Sequence, residues 1–151
     1  RPGKILRNLP ADWGEFGYSN VVLGVSIESQ EQLHRLKTLQ SLKRVDSNFR
    51  TFISAEPLIG EIEITEVYKN DFAMLDWVII GGESGNETGK YRYRKCEMSW
   101  MTYLVEQCKA SNVPVFVKQL GTHLAKQRNM KRHGGEFAEF PVYLQHREFY
   151  R

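Results

Sequence analysis

Asp76-Trp77-Val78-Ile79-Ile80-Gly81-Gly82-Glu83-Ser84-Gly85 is the stretch whose reading decides the fold. Trp77 to Ile80 is apolar without alternation, the pattern of a strand covered on both sheet faces. The glycines that follow let the backbone turn sharply and approach another group closely. Three other stretches share this form of a short apolar run closed by polar or turn residues: Val21-Val22-Leu23-Gly24-Val25-Ser26-Ile27, Thr51-Phe52-Ile53-Ser54-Ala55 and Val113-Pro114-Val115-Phe116-Val117. Pro114 must stand at the start of its strand, because it has no N–H for the ladder.

The segments between the strands read as helical or mixed crossovers. Ser29-Gln30-Glu31-Gln32 is a capping box, followed by an apolar stripe of Leu33, Leu36, Leu39 and Leu42, with Ser41 and Lys43 suggesting that the helix decays there. Met98 to Ala110 is the clearest helix: Met101, Leu104, Val105 and Cys108 share a face opposite Glu106, Gln107 and Lys109, and Asn112 suits the C-cap. Pro57 to Asp76 is less clear, since Ile62, Ile64 and Val67 alternate before Phe72, Met74 and Leu75. After Gly121 come a weaker helix over Leu124 to Lys131, a turn at His133-Gly134-Gly135 and an irregular closing segment from Phe137 to Phe149.

A strand–crossover–strand pattern repeated in this way predicts a parallel sheet with right-handed connections. A complete eight-stranded barrel takes about 250 residues, and this chain has 151. The expected fold is therefore α/β, with parallel βα repeats forming half of a TIM-barrel-like barrel; a small open sheet is the alternative. The first residues, Arg1-Pro2-Gly3-Lys4, carry neither an initiator Met nor a signal-peptide core. The expectation is a single domain over residues 1–151 that forms the C-terminal part of a longer protein.

Apolar residues make up 41% and charged residues 26% of the chain, as in ordinary globular proteins. No apolar run approaches the ~20 residues that span a bilayer, so the expectation is a cytoplasmic protein without a membrane partner. Cys96 and Cys108 are too few for a disulfide framework, and Cys108 falls on the apolar stripe as a buried thiol. His34, His123, His133 and His146 are scattered without zinc-like spacing, and no metal is inferred. The net charge of +3 divides unevenly: residues 1–86 carry 9 basic and 12 acidic side chains, residues 87–151 carry 12 and 6. The basic excess gathers in residues 90–95 and 126–132, either as solvated surface or as a grip on nucleic acid or another anion. Trp77 and Trp100 read as core residues, whereas Trp13, in the Asp12-Trp13-Gly14 loop, is either a lid residue or packed.

Ligands of parallel βα folds bind at the carboxyl ends of the strands. The four strands exit here into Ser26-Ile27-Glu28, Ser54-Ala55-Glu56-Pro57, Gly81-Gly82-Glu83-Ser84-Gly85 and Lys118-Gln119. Period two places Ser26 with Glu28, and Ser54 with Glu56, on common faces. Three carboxylates gathered in one place raise one another's pKa unless a cation answers them, and Lys118, a metal or a substrate ammonium would do so. The competing reading has Glu28 and Glu56 capping the helices that follow. Gly81, Gly82, Ser84 and Gly85 offer a backbone cradle, and Gln119 a side-chain amide.

These residues resemble a phage-associated family of uncharacterised proteins named for gene products thirty-seven and sixty-eight. The likeness is carried by residues 20–28, 54–60, 76–85 and 113–121, and by the ending from His133-Gly134-Gly135-Glu136-Phe137 through Arg147-Glu148. It implies the C-terminal portion of a partial, radical-SAM-like barrel. The cysteine-rich front half, with its four-iron–four-sulfur cluster and SAM, would belong to the full-length protein, and this fragment alone would hold no cofactor and would not be catalytic. Two functional readings follow. In the first, Glu28, Glu56, Glu83 and Lys118 are the catalytic group of an enzyme portion. Ser26, Ser54, Gly81, Gly82, Ser84, Gly85 and Gln119 then bind its cofactor or substrate, and the missing N-terminal half is its partner. In the second, the chain is a non-catalytic phage or mobile-element module that binds through residues 90–95 and 126–132. A half-barrel would also leave sheet edges exposed, from which a homodimer is expected.

Overall fold

The structure is a computed structural model and describes residues 2–13, 18 and 20–150. Arg1, and Gly14 of the Trp13 loop, lie outside the described residues. Four parallel strands, β1 (Val22–Ser26), β2 (Arg50–Ala55), β3 (Trp77–Gly81) and β4 (Val115–Gln119), form one sheet in the order β1-β2-β3-β4. They alternate with helices α1 (Leu36–Val45), α2 (Glu66–Ala73), α3 (Met98–Ala110) and α4 (Gly121–Gln127). The result is a mixed α/β fold with a sequentially ordered parallel sheet.

Strand alternation separates the two faces of this sheet. Val25, Ile53, Val78 and Val115 stand in one row, with Ala55, Ile80 and Val117 in the next, and all are buried. They share a single core cluster with Leu36, Leu39 and Leu42 of α1, Phe72 of α2, and Met101, Leu104, Val105 and Cys108 of α3. The helical crossovers therefore pack on one face. Fully burying each leucine contributes roughly 1.5–3 kcal/mol, enough for the α1 stripe to fix that helix against the sheet. Gly24, Phe52 and Trp77 occupy the opposite face, with Ser26, Ser54, Ile79 and Phe116 in the next row. These residues are half-buried, apart from Ser26, which is exposed.

The strand and helix boundaries depart from expectation where local bonding intervenes. The ladder of β4 begins at Val115, two residues later than expected, because the Val113 N–H donates to Cys108 O (2.9 Å) and Pro114 has none to give. Lys118 and Gln119 consequently lie within the strand. Gln32 Oε1 accepts from the Ser29 N–H and from Ser29 Oγ, both at 2.9 Å, as the capping box requires. What it opens is a 3-10 turn, Gln30–Arg35, which passes into α1. Leucines every three residues suit that tighter winding. The helix then runs through Ser41 and Lys43 to Val45. Ser41 Oγ donates back to Lys37 O (2.8 Å) and Lys43 pairs with Asp76 (2.7 Å), so neither side chain interrupts it.

In the unclear second crossover, α2 buries Phe72 while Val67 is 72% exposed, so the mixed pattern there contains a helix. Gln107 holds the preceding loop by donating to Ile62 O (2.8 Å). Asn112 takes the left-handed conformation (φ 55°) just past α3, as a helix end demands. α4 starts at Gly121, three residues earlier than expected, and ends at Gln127.

The closing segment has a definite task. The Val117 N–H donates to His146 O (2.8 Å), the Glu148 N–H to Val115 O (3.0 Å), and Phe116 and Arg147 form an antiparallel bridge. The tail thus covers the outer edge of β4. Phe149 and Tyr150 then fold onto Trp77, with ring centroids 5.8 and 5.6 Å away. No helix among the described residues is long and apolar enough to cross a membrane.

β3 and β4 meet through their backbones just beyond the ladder. A Cβ on Gly82 would stand 2.2 Å from Leu120 O, and one on Gly121 would stand 2.6 Å from the Gly82 carbonyl carbon. Gly82→Ala should therefore cost about 3 kcal/mol, at the upper end for overpacking, since backbone rather than side chain must move. Gly89→Ala meets nothing within 4 Å but has φ +80°, and should cost only about 1–2 kcal/mol. Urea unfolding of the two variants, followed by circular dichroism, checks the order; equal losses would contradict the contact.

Candidate functional site

The exit loops at the C-terminal ends of the strands are tied to their neighbours by main-chain bonds. The Ile27 N–H donates to Ser54 O (3.0 Å), Ile59 to Glu28 O (2.9 Å) and Leu58 to Gly81 O (2.8 Å). These bonds hold the expected site residues to a common rim. Glu56 leaves β2 on the open face, above the row of Ser26, Ser54, Ile79 and Phe116. Its Oε1 lies 2.9 Å from Lys118 Nζ and accepts from Gln119 Nε2 at 3.2 Å, while Gln119 also donates to Gly82 O (2.9 Å). Gly81 lies close beneath this carboxylate: a Cβ there would stand 3.0 Å from the Glu56 carboxyl carbon and would push the side chain aside by a few tenths of an ångström. Glu56 is 19% exposed and Lys118 55%, so a half-sheltered carboxylate faces a cation reachable from solvent.

The other two glutamates are answered by a residue that the strand-end pattern missed. Arg94 donates to Glu83 through Nε (2.9 Å), Nη2 (2.8 Å) and its own backbone N–H (2.7 Å), and its Nη1 stands 3.9 Å from Glu28 Oε2. The bidentate geometry makes this the strongest kind of side-chain ion pair. The Arg94 hydrogen bonds hold the Glu83 carboxyl below the usual glutamate range, and Glu83 in turn raises Arg94. Since β1 and β3 flank β2, the Glu28–Arg94–Glu83 group spans the end of β2. Arg94 belongs to the basic run 90–95, which reads from sequence as solvated surface or as an anion grip; nothing in its spacing announces a carboxylate partner.

The glycine-rich turn is engaged with its own chain. The Gly82 N–H donates to Gln119 O (3.1 Å), and the Gly85 N–H donates to Thr122 Oγ1 (3.1 Å). A Cβ on Gly85 would stand 2.5 Å from Tyr91 O. Ser84 is exposed on the turn. Buried Thr122, 3% exposed, is a second residue that sequence reasoning did not single out. His123 is a third. Its Nδ1 lies 2.9 Å from Cys96 O, and because a carbonyl only accepts, Nδ1 carries the proton and Nε2 keeps a lone pair in the neutral ring.

Three glutamates therefore meet two cations here, and none of the three caps a helix through its side chain: the N-cap residues of α2 and α3 are Thr65 and Glu97, and the capping box at the first crossover is built from Ser29 and Gln32. Several cations of the basic runs are paired as well: Lys95 with Glu97, Lys126 with Glu87 and Arg132 with Glu136. Among the described residues no group of three or more His, Cys, Asp or Glu side chains is placed to hold a metal ion. Burial pushes the Cys96 thiol up to about 12 and raises Cys108 as well. A cleft of about 740 Å³ opens at the other end of the strands against Asp76, Pro114 and Glu148. Asp76 is occupied there with Lys43 and the Thr51 N–H, which gives that end a structural role.

Two outcomes follow from the pairing and the burial. Glu83 has a lowered folded pKa, so its pairing stabilises the protein above the ordinary glutamate value, about 4.3. That stabilisation is lost as pH falls through the lower folded value. Arg94→Ala should remove this acid-side step and cost about 1 kcal/mol at pH 7, as read from urea midpoints of wild type and variant between pH 2.5 and 7; an unchanged pH profile would dissociate Glu83 from Arg94. Both thiols should resist a thiol-specific chromogenic reagent in the native protein and react on unfolding.

No curated protein and no solved structure matches the chain. The family model described as DUF5131, protein of unknown function, matches residues 1–142, and the chain belongs to that family.

Proposed function

We propose that this chain is the C-terminal part of an open βα-barrel enzyme and that Glu56, Lys118 and Gln119 form the ligand-binding part of its active site. The observation that carries the reading is the sidedness of the sheet. The helical crossovers pack on one face, while the other presents Gly24, Phe52 and Trp77, then Ser26, Ser54, Ile79 and Phe116, then Glu56 with Lys118. Layers of inward side chains with chemistry at the C-terminal rim are the pattern of a barrel interior. Polarity rises along this face from aromatic rings through hydroxyls to charges, which suits a ligand seated at the rim.

Each residue has a role in this scheme. Glu56 accepts from a substrate hydroxyl or ammonium, and Lys118 supplies the counter-charge and a donor. Gln119 fixes the Glu56 rotamer, and the hydroxyls of Ser26 and Ser54, which have no hydrogen-bond partner among the described residues, are available beneath. Glu28 and Glu83 act through Arg94 as positioning residues, while Gly81, Gly82, Ser84 and Gly85 shape the rim. Further strands would join at the β1 edge, because the tail occupies the β4 edge; the missing N-terminal half of the protein is the proposed occupant, with a second copy as the alternative. The resemblance to a radical-SAM-like barrel supports an iron–sulfur cluster and SAM in the whole protein. The two buried, high-pKa thiols of this chain do not fit a cluster, so cluster ligands would come from residues outside it.

The longer natural protein, purified without oxygen, should hold roughly four irons per chain, as a cubane cluster does. It should keep them in Glu56→Gln, which removes no thiolate ligand, while losing binding of SAM or substrate measured by equilibrium dialysis. A natural protein no longer than this chain, folded, monomeric and without iron, would overturn the reading.

A further inference from the structure

A second polar cleft, about 590 Å³, lies between the 85–88 loop and the chain from α4 to His133. It is separate from the Glu56 cluster but fixed to the end of β3, since the Thr122 N–H donates to Glu83 O (2.9 Å). Lys126, Arg132 and His133 line it, with Thr122 and Asn86 as further polar groups. Ala125 and Met130 add an apolar patch, and the size is that of a small-molecule site.

The backbone is unusual where it presents these side chains. Arg132 (φ 47°) and His133 (φ 55°) are consecutive non-glycine residues in the left-handed region, and Asn129 (φ 53°) precedes them. Such conformations persist only where surrounding bonds impose them. Here the Met130 N–H donates to Ala125 O (2.8 Å), Gly134 to Lys131 O (2.8 Å) and Leu120 to Gly134 O (2.8 Å). His133 Nδ1 lies 2.8 Å from Thr122 Oγ1, which fixes the imidazole against α4. The turn thus brings Arg132 and His133 to the same cleft as Lys126.

The geometry points to a binding site for a phosphate monoester on a small organic body, of mononucleotide or sugar-phosphate size. Two cations and an imidazole suit a compact dianion, and the Ala125–Met130 patch suits the group that carries it. Glu87 already pairs with Lys126, and Glu136 with Arg132. Both pairs are solvent-exposed, so each cation exchanges a carboxylate for an incoming dianion at little cost. In this scheme Glu87 occupies the anion position on Lys126 and competes with the ligand.

The test is calorimetric titration at fixed ionic strength with inorganic phosphate, then with adenosine monophosphate and glycerol phosphate, alongside amide NMR shifts. Saturable one-to-one binding is expected, with shifts confined to residues 85–88 and 122–134. The double variant Lys126→Gln/Arg132→Gln should weaken it about tenfold or more. Glu87→Gln should tighten it, and Lys90→Gln should leave it unchanged. Tighter binding of the nucleotide than of glycerol phosphate identifies a nucleobase contribution; equal binding identifies the sugar-phosphate class. The variant residues are exposed, and circular dichroism melts verify that they fold. Non-saturating shifts spread over the surface lysines would overturn the proposal, as would unchanged affinity in the double variant or equal competition by an oligonucleotide without a terminal phosphate.

Discussion

Gly82 lies against Leu120 and Gly121 with no room for a side chain on either glycine. Everything at the strand-end rim depends on that backbone-to-backbone approach. It draws the exit of β3 onto the exit of β4, so that the Gly82 N–H reaches Gln119 O and the Gln119 amide reaches Gly82 O. Gln119, held this way, is aimed at Glu56, and Thr122, one residue past Gly121, receives the Gly85 N–H. A side chain at either glycine would separate the two strand ends and dismantle both clusters. The glycines of this turn are thus accounted for by packing, and the polar chemistry belongs to the side chains they bring together.

Electrostatics imposes the second constraint. Glu28, Glu56 and Glu83 leave adjacent strands, and uncompensated carboxylates at such spacing resist ionisation. The chain answers with a division of labour. Arg94, planar and bidentate, takes Glu83 and leans toward Glu28; Lys118, a flexible point charge, takes Glu56. The arginine pair is geometrically fixed and suited to holding a shape. The lysine pair is looser and its cation is reachable from water, which makes it the pair that can exchange partners with a ligand.

Much of this was legible in sequence, for identifiable reasons. The four strands and α3 were readable because a two-sided apolar run and a 3.6-residue stripe are local signals that the tertiary structure left intact. The glutamates and Lys118 were readable as strand-end residues by the rule that ligands gather there. The α2 crossover was not: Val67, three residues past Ile64 and off its period-two row, is exposed, so its hydrophobicity misreports its side. Arg94 was hidden because its partner lies across a loop folded back by the Asn86–Arg92 bridge, a contact without periodicity. The left-handed run at Arg132 and His133 was hidden as well, since neither residue type advertises that conformation as glycine does.

The two sheet edges differ in a way that limits what can be added to this fold. On β4, the tail pairs through Val115 and Val117 and then lays Phe149 and Tyr150 over Trp77. Trp77 Nε1 donates to Glu148 O (2.8 Å), so the tail is anchored on the open face as well as on the edge. Displacing it would expose aromatic surface and a row of strand bonds together. Among the described residues no strand pairs with β1 on its outer side, and Arg35 donates to Ser26 O (2.7 Å). The sheet is consequently a closed end on one side and an open end on the other. Strands added to this sheet, as the proposed barrel requires, would extend past β1, and the half-buried row of Gly24, Phe52 and Trp77 with Glu56 and Lys118 above it would then face the interior.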